Sequence, residues 1–175
     1  MTLAPLAPTM RETRADRARS VMDDHESFER VGDEHRVTTT PFEGRVSATD
    51  GEGTTEFAVD VRVPTLDAVV EGEEVPQVIE EGWLETFELR LGDAHQATRR
   101  LEALDPEVER EDGEVTVTFA FEESTERGPE EAKALVEYVE GTWVEGIIPG
   151  YEYGEPAASL LGRAQQTYDG EGVER

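Results

Sequence analysis

The sequence predicts an α+β fold: an antiparallel five-stranded sheet with helices, in the order α-βββ-α-ββ-α plus a C-terminal helix. Three observations carry this. Strand patterns come in hairpin-linked groups separated by helical patterns, whereas parallel βαβ units would show single strands alternating with helices. Two turn signals, Asp50-Gly51-Glu52-Gly53 and Glu111-Asp112-Gly113, lie between alternating segments. The stretch from Gly128 to Gly150 reads as one long amphipathic helix.

Residues 1–10 (MTLAPLAPTM) read as a disordered leader, or as an early start ahead of Met10. Residues 11–28 read as the first helix, with Ala15, Ala18, Val21 or Met22, and finally Phe28 on one face. Gly32-Asp33 breaks it. Three strands follow, at 35–40, 44–49 and 55–64. The third alternates cleanly: Phe57, Val59, Val61 and Val63 face a core, while Glu56, Asp60 and Arg62 face water. Pro64 ends it.

Leu66 to Val70 reads as a short helical turn. The second helix is expected from Glu73 to about Gln96, because Val75, Ile79, Trp83, Phe87 and Leu91 recur every fourth residue. Residues 106–122 form a hairpin with Val115, Val117, Phe119 and Phe121 inward. In the long helix Gly128 suits the N-cap and Pro129 the first helical position. Ala132, Leu135, Val136, Val139, Trp143 and Ile147 share one face, and Pro149-Gly150 stops it. A connector, Tyr151 to Gly154, leads to a last helix over 156–168 and a frayed end. The chain thus divides into the leader, one α+β domain over 11–154, and a C-terminal helix and tail over 155–175.

The strongest global feature is charge. The chain has 42 acidic and 16 basic residues, a net charge of −26, and Lys133 as its sole lysine. Such like charge repels itself at ordinary ionic strength and is screened at molar salt. The composition therefore points to a halophile's cytoplasm and resembles that of haloarchaeal proteins. It argues against nucleic acid, which needs a basic stripe, and against anionic membranes. The 175 residues contain no cysteine, which removes disulfides, thiolate catalysis and Cys-based zinc sites. No apolar run approaches a bilayer's thickness.

No catalytic or cofactor motif is present. His25, His35 and His95 lie in different elements, with no HExxH spacing. Asp23-Asp24-His25-Glu26 offers metal-ligand types, but consecutive helical residues point in different directions. Asp50 to Glu56 lacks the glycine and glutamate positions of an EF-hand loop and reads as a turn. Ser159 sits outside any nucleophile elbow. The best acid–base candidates are Glu80 or Glu81 beside Trp83, and Glu145 beside Trp143, against a background of ordinary surface glutamates. Trp143, Tyr151 and Tyr153 form an aromatic group that suits protein recognition. Burial tendencies favour a core role for Trp143, with the tyrosines closing the end of the sheet.

Three segments, VRVPTLDAVVEG, EEGWLETFELRL and VEGIIPGYEY, resemble an uncharacterised haloarchaeal protein family, a domain of unknown function, over most of residues 12–154. That resemblance implies no activity. The order of elements is also similar to that of type III secretion chaperones, which are often dimeric peptide-binding proteins. The function expected on these grounds is a non-enzymatic, cytoplasmic, chaperone-like protein-binding domain, possible as a homodimer, with no cofactor, metal, nucleic acid or membrane partner. The alternative is a small enzyme or ligand-binding protein with a carboxylate-lined cleft near Trp83 and Trp143. A third expectation makes the 156–168 helix a docking element.

Overall fold

The computed structural model describes residues 12–99, 101–102 and 104–164. The leader over 1–10 and the end of the last helix beyond 164 lie outside the described residues. Helix α1 spans Arg14–Asp23. Thr13 caps it: its hydroxyl accepts from the Asp16 N–H at 3.0 Å, and its own N–H donates to the Asp16 carboxylate at 3.1 Å. Ala15, Ala18 and Met22 are buried.

The helix expected over 11–28 is shorter at its C-terminal end, and Phe28 does not lie on it. A turn after Met22 ends in a hydrogen bond from the Phe28 N–H to the His25 carbonyl at 3.1 Å. Phe28 then opens strand β1, Phe28–Val31, which pairs with β2, Glu34–Val37. Gly32-Asp33 breaks no helix. It is the two-residue turn between these strands, with Gly32 at φ 63°.

Strands β3, Glu43–Asp50, and β4, Thr55–Pro64, follow as an antiparallel pair. Helix α2 is Leu66–Val69 and the two-residue strand β5 is Val70–Glu71. Helix α3 spans Gln77–Leu91, several residues shorter at each end than its pattern suggests. Pro76 holds the N-cap position, where its missing N–H costs no hydrogen bond. After Gly92 the chain tightens into a 3-10 turn, Ala94–Ala97.

Strand β6, Glu107–Glu111, pairs with β7, Glu114–Glu123. In the intervening turn Asp112, at φ 56°, takes the left-handed conformation. Helix α4 spans Gly128–Glu145. Its N-cap is Arg127, one residue earlier than expected. It stops at Gly146, whose N–H bonds back to Thr142 and Trp143, so Ile147 lies beyond the helix. Strand β8, Glu152–Tyr153, pairs with β5, and residues 157–164 form helix α5.

The sheet thus has six strands, ordered β1-β2-β3-β4-β7-β6 and antiparallel throughout, with β5 and β8 as a separate ladder. The expected five-stranded sheet lacked β1, which four residues of weak alternation conceal.

One face of the sheet carries the core: Val46, Phe57, Val59, Val61, Val117 and Phe119 are among its fully or nearly fully buried residues. Helices α1 and α4 cover this face and touch each other. Helix α4 lies close because Gly44 and Gly128 carry no side chain; a Cβ on Gly44 would stand 2.7 Å from Val136 Cγ1. Helix α3 packs in turn against α4 and α2. The other face is polar, with Arg36 bound to Glu29 at 2.7 Å and Arg45 to Glu43 at 2.7 Å. It presents little apolar surface for a partner to cover.

The C-terminal segment is fastened to this body. The Gly154 N–H donates to the Val69 carbonyl at 2.8 Å, and Ala157 and Leu160 are buried in the core.

Candidate binding groove

Helix α3 is apolar on more than one side. Trp83, Phe87 and Leu91 recur at i, i+4 and i+8 and are buried, with the Trp83 and Phe87 rings stacked 5.5 Å apart. The helix is anchored at its far end by the Tyr138 hydroxyl, which donates to the Arg90 carbonyl at 2.8 Å. Its outer side carries Val78, 73% exposed, and Leu89, 78% exposed, with Ile79 at 37%. At 100° per residue Val78, Gly82, Glu85 and Leu89 fall within about 60° of one another, so Val78 and Leu89 share one side of the helix with Gly82 and Glu85 between them.

Beside that stripe is a cleft of about 360 Å³ between α3 and the end of α4, lined by Val78, Ile79, Trp83, Glu145, Gly146 and Ile148 among others. Trp83 is 4% exposed, and its indole N–H is buried with no hydrogen-bond partner. A buried donor left unsatisfied costs about 1–3 kcal/mol. Gly146 packs close beside it: a Cβ there would stand 3.3 Å from Trp83 Nε1. Exposed Glu81, Glu85 and Glu88 lie along the side of α3 away from the cleft, and the charged residues that line the cleft are Glu145 and Arg90.

The aromatic residues singled out from sequence do not form one patch. Trp143 is fully buried; its indole donates to the Pro64 carbonyl at 2.9 Å and its ring meets Phe42 edge-on at 5.1 Å. Its side chain belongs to the core and does not line the groove. Tyr151 and Tyr153 are half-buried and meet edge-to-face at 6.4 Å. The Tyr153 hydroxyl donates to the Ile148 carbonyl, and burial raises its pKa. Tyr153 thus holds Ile148, one wall of the groove.

The carboxylate candidates separate as well. Glu80 accepts from the Asp67 N–H at 3.1 Å, and Glu81 from the Gln77 amide at 3.0 Å. Only Glu145 lines the cleft, and it is exposed. Asp23 and His25 point to different partners. Asp23 binds Arg30 and His35, and these hydrogen bonds lower its pKa to about 2. His25 meets Glu130 at 2.5 Å. Ser159 is exposed, and Asp50 accepts from the Ala15 N–H at 2.9 Å. His95 lies in the 3-10 turn, away from the other histidines in sequence, and its Nδ1 is buried with no hydrogen-bond partner among the described residues. Among the described residues no group of three or more His, Cys, Asp or Glu side chains could hold a metal ion. Among them, too, no helix is long and apolar enough to cross a membrane.

Sequence reasoning missed Val78, Leu89, Gly82 and Gly146. The first two carried a signal: they are apolar residues off the stripe of a helix that already has one.

No curated protein and no solved structure matches the chain. A family model does match it over residues 23–163, most of its length, and the chain belongs to that family, DUF5813, a family of unknown function.

Proposed function

We propose that this chain is a non-enzymatic protein-binding domain, and that its docking surface is the groove between α3 and the end of α4. The carrying observation is the exposed apolar stripe of Val78 and Leu89 beside the cleft at Trp83. The occupant is a basic, amphipathic segment of another protein. Its apolar side covers the stripe, and its cations meet Glu145.

A second copy is the weaker fit at low salt, because each chain carries a net charge of −26. Molar salt removes that objection, and the acidic, lysine-poor composition supports a salt-rich cytoplasm as the setting. The chaperone-like reading rests on element order alone. Tyr151 and Tyr153 adjoin the groove through Ile148 and extend the interaction surface.

A Leu/Lys amphipathic helical peptide of about 18 residues is a direct probe, titrated in low and high KCl. It should bind, and Val78→Ser with Leu89→Ser should weaken it at least about tenfold. Equal binding by that variant, or equal binding of a scrambled peptide of the same composition, would show only charge attraction and sink the reading. Light scattering in molar KCl separates out self-association: a dimer lost in the same double variant would make the second copy the occupant.

A further inference from the structure

We infer that the groove has a direction: the segment that docks there carries its apolar residues at one end and its cations at the other. The inference rests on the docking reading above and adds the layout of the partner. The cleft at Trp83 is continued by a second one, of about 430 Å³, between the end of α3 and the C-terminal half of α4, and the two share Arg90 and Glu145. The first is walled by Val78, Ile79, Trp83 and Ile148. The second is lined instead by Asp93, Glu137, Tyr138, Gly141 and Thr142 beside the shared pair, with no valine, leucine or isoleucine. Along α3 the rise from Val78 to Arg90 is about 18 Å, the length of about three helical turns. One docked helix of that length reaches from the apolar half into the polar half.

The charges of the polar half decide what it takes. Glu137 is already held by Lys133 at 3.1 Å and by the Thr39 hydroxyl at 2.8 Å. Arg90, Asp93 and Glu145 are exposed and make no ion pair among the described residues. At the junction Arg90 and Glu145 are opposite in sign, so a cation there is repelled by one and drawn by the other. Beyond the junction Asp93 draws it without opposition from a lining cation. A partner with its cations grouped past Arg90 therefore gains at Asp93 and keeps its apolar end over Val78 and Ile79. A partner with cations spread along its length brings some of them against the apolar half and forfeits burial there.

The experiment uses the intact chain in low KCl and two Leu/Lys helical peptides of equal length and composition. One has its leucines grouped toward one end and its lysines toward the other; the second has them spread evenly. The grouped peptide should bind about fivefold tighter. Asp93→Asn should remove that preference. The Asp93 side chain makes no capping hydrogen bond to the 3-10 turn it precedes, so this variant takes away charge and leaves the fold, as an unchanged circular dichroism spectrum checks. A spin label on the lysine end of the grouped peptide should broaden the amide signals of Tyr138 and Gly141, and one on the leucine end those of Ile79 and Gly82. Equal affinity of the two peptides, a preference that survives Asp93→Asn, or the same signals broadened from either end overturns the direction. The docking reading stands in that case so long as Val78→Ser with Leu89→Ser still weakens binding. Failure of both peptides to bind, or binding indifferent to that double variant, overturns both.

Discussion

Gly128 lies flat against the ring of Phe57: a Cβ at position 128 would stand 2.0 Å from Phe57 Cε2. This places the first turn of α4 on the centre of the sheet. Gly128→Ala should therefore destabilise the fold by about 2–3 kcal/mol, although alanine is the better helix former. Urea denaturation checks it. An unchanged midpoint would mean that α4 can lift from Phe57 without cost.

Trp143→Phe tests the assignment of Trp143 to the core. It removes the donor to the Pro64 carbonyl and leaves a void beside Phe42. A loss of about 2 kcal/mol is expected, with peptide binding unaffected. Lost binding without lost stability would return Trp143 to the recognition surface.

Asp23 ties three elements together, since it binds Arg30 of β1 and His35 of β2 from the end of α1. Its folded pKa, about 2, lies below the ordinary 3.8. The stabilisation is present above pH 3.8 and is lost as pH falls through the window between those values. Asp23→Asn should cost about 1–2 kcal/mol at neutral pH, discounted for the partial exposure of the carboxylate. The gap between variant and wild type should shrink as acid is added. A gap constant down to pH 2 would contradict the linkage.

Leu160→Ala should cost about 2–3 kcal/mol, because Leu160 is buried in the core from α5. Thermal unfolding by circular dichroism measures it. A neutral result would restore the last helix as a free docking element.

Much of the fold was legible because it rests on strong periodicity. Strand β4 matches its expected span, and five of the six residues in the α4 stripe are buried within the helix. Strand β1 was hidden because Phe28 fits a helical stripe as well as a strand, and only the turn from Met22 to Phe28 decides between them. Glu131, an acidic residue of the first turn of α4, is buried and accepts from the Arg99 N–H at 3.1 Å, a contact no local pattern signals. The groove was less legible. Trp83 was picked out for its neighbouring glutamates, whereas the feature that distinguishes it is a buried indole N–H with no hydrogen-bond partner among the described residues. The residue packed beside that nitrogen is Gly146, more than sixty residues away in sequence, and no local pattern signals the contact.

The pairing of β4 with β7, from Thr55↔Glu123 to Pro64↔Glu114, has a kinetic consequence. Every other strand pair in the six-stranded sheet joins neighbours in the chain. Such hairpins close short loops, on a microsecond scale. Only β4–β7 must gather a segment that includes all of α3, and it bears the largest loop-closure entropy. This ladder should therefore form in the rate-limiting step. Val59→Ala, opposite Phe119, should slow refolding, whereas Val37→Ala in the outer hairpin should chiefly speed unfolding.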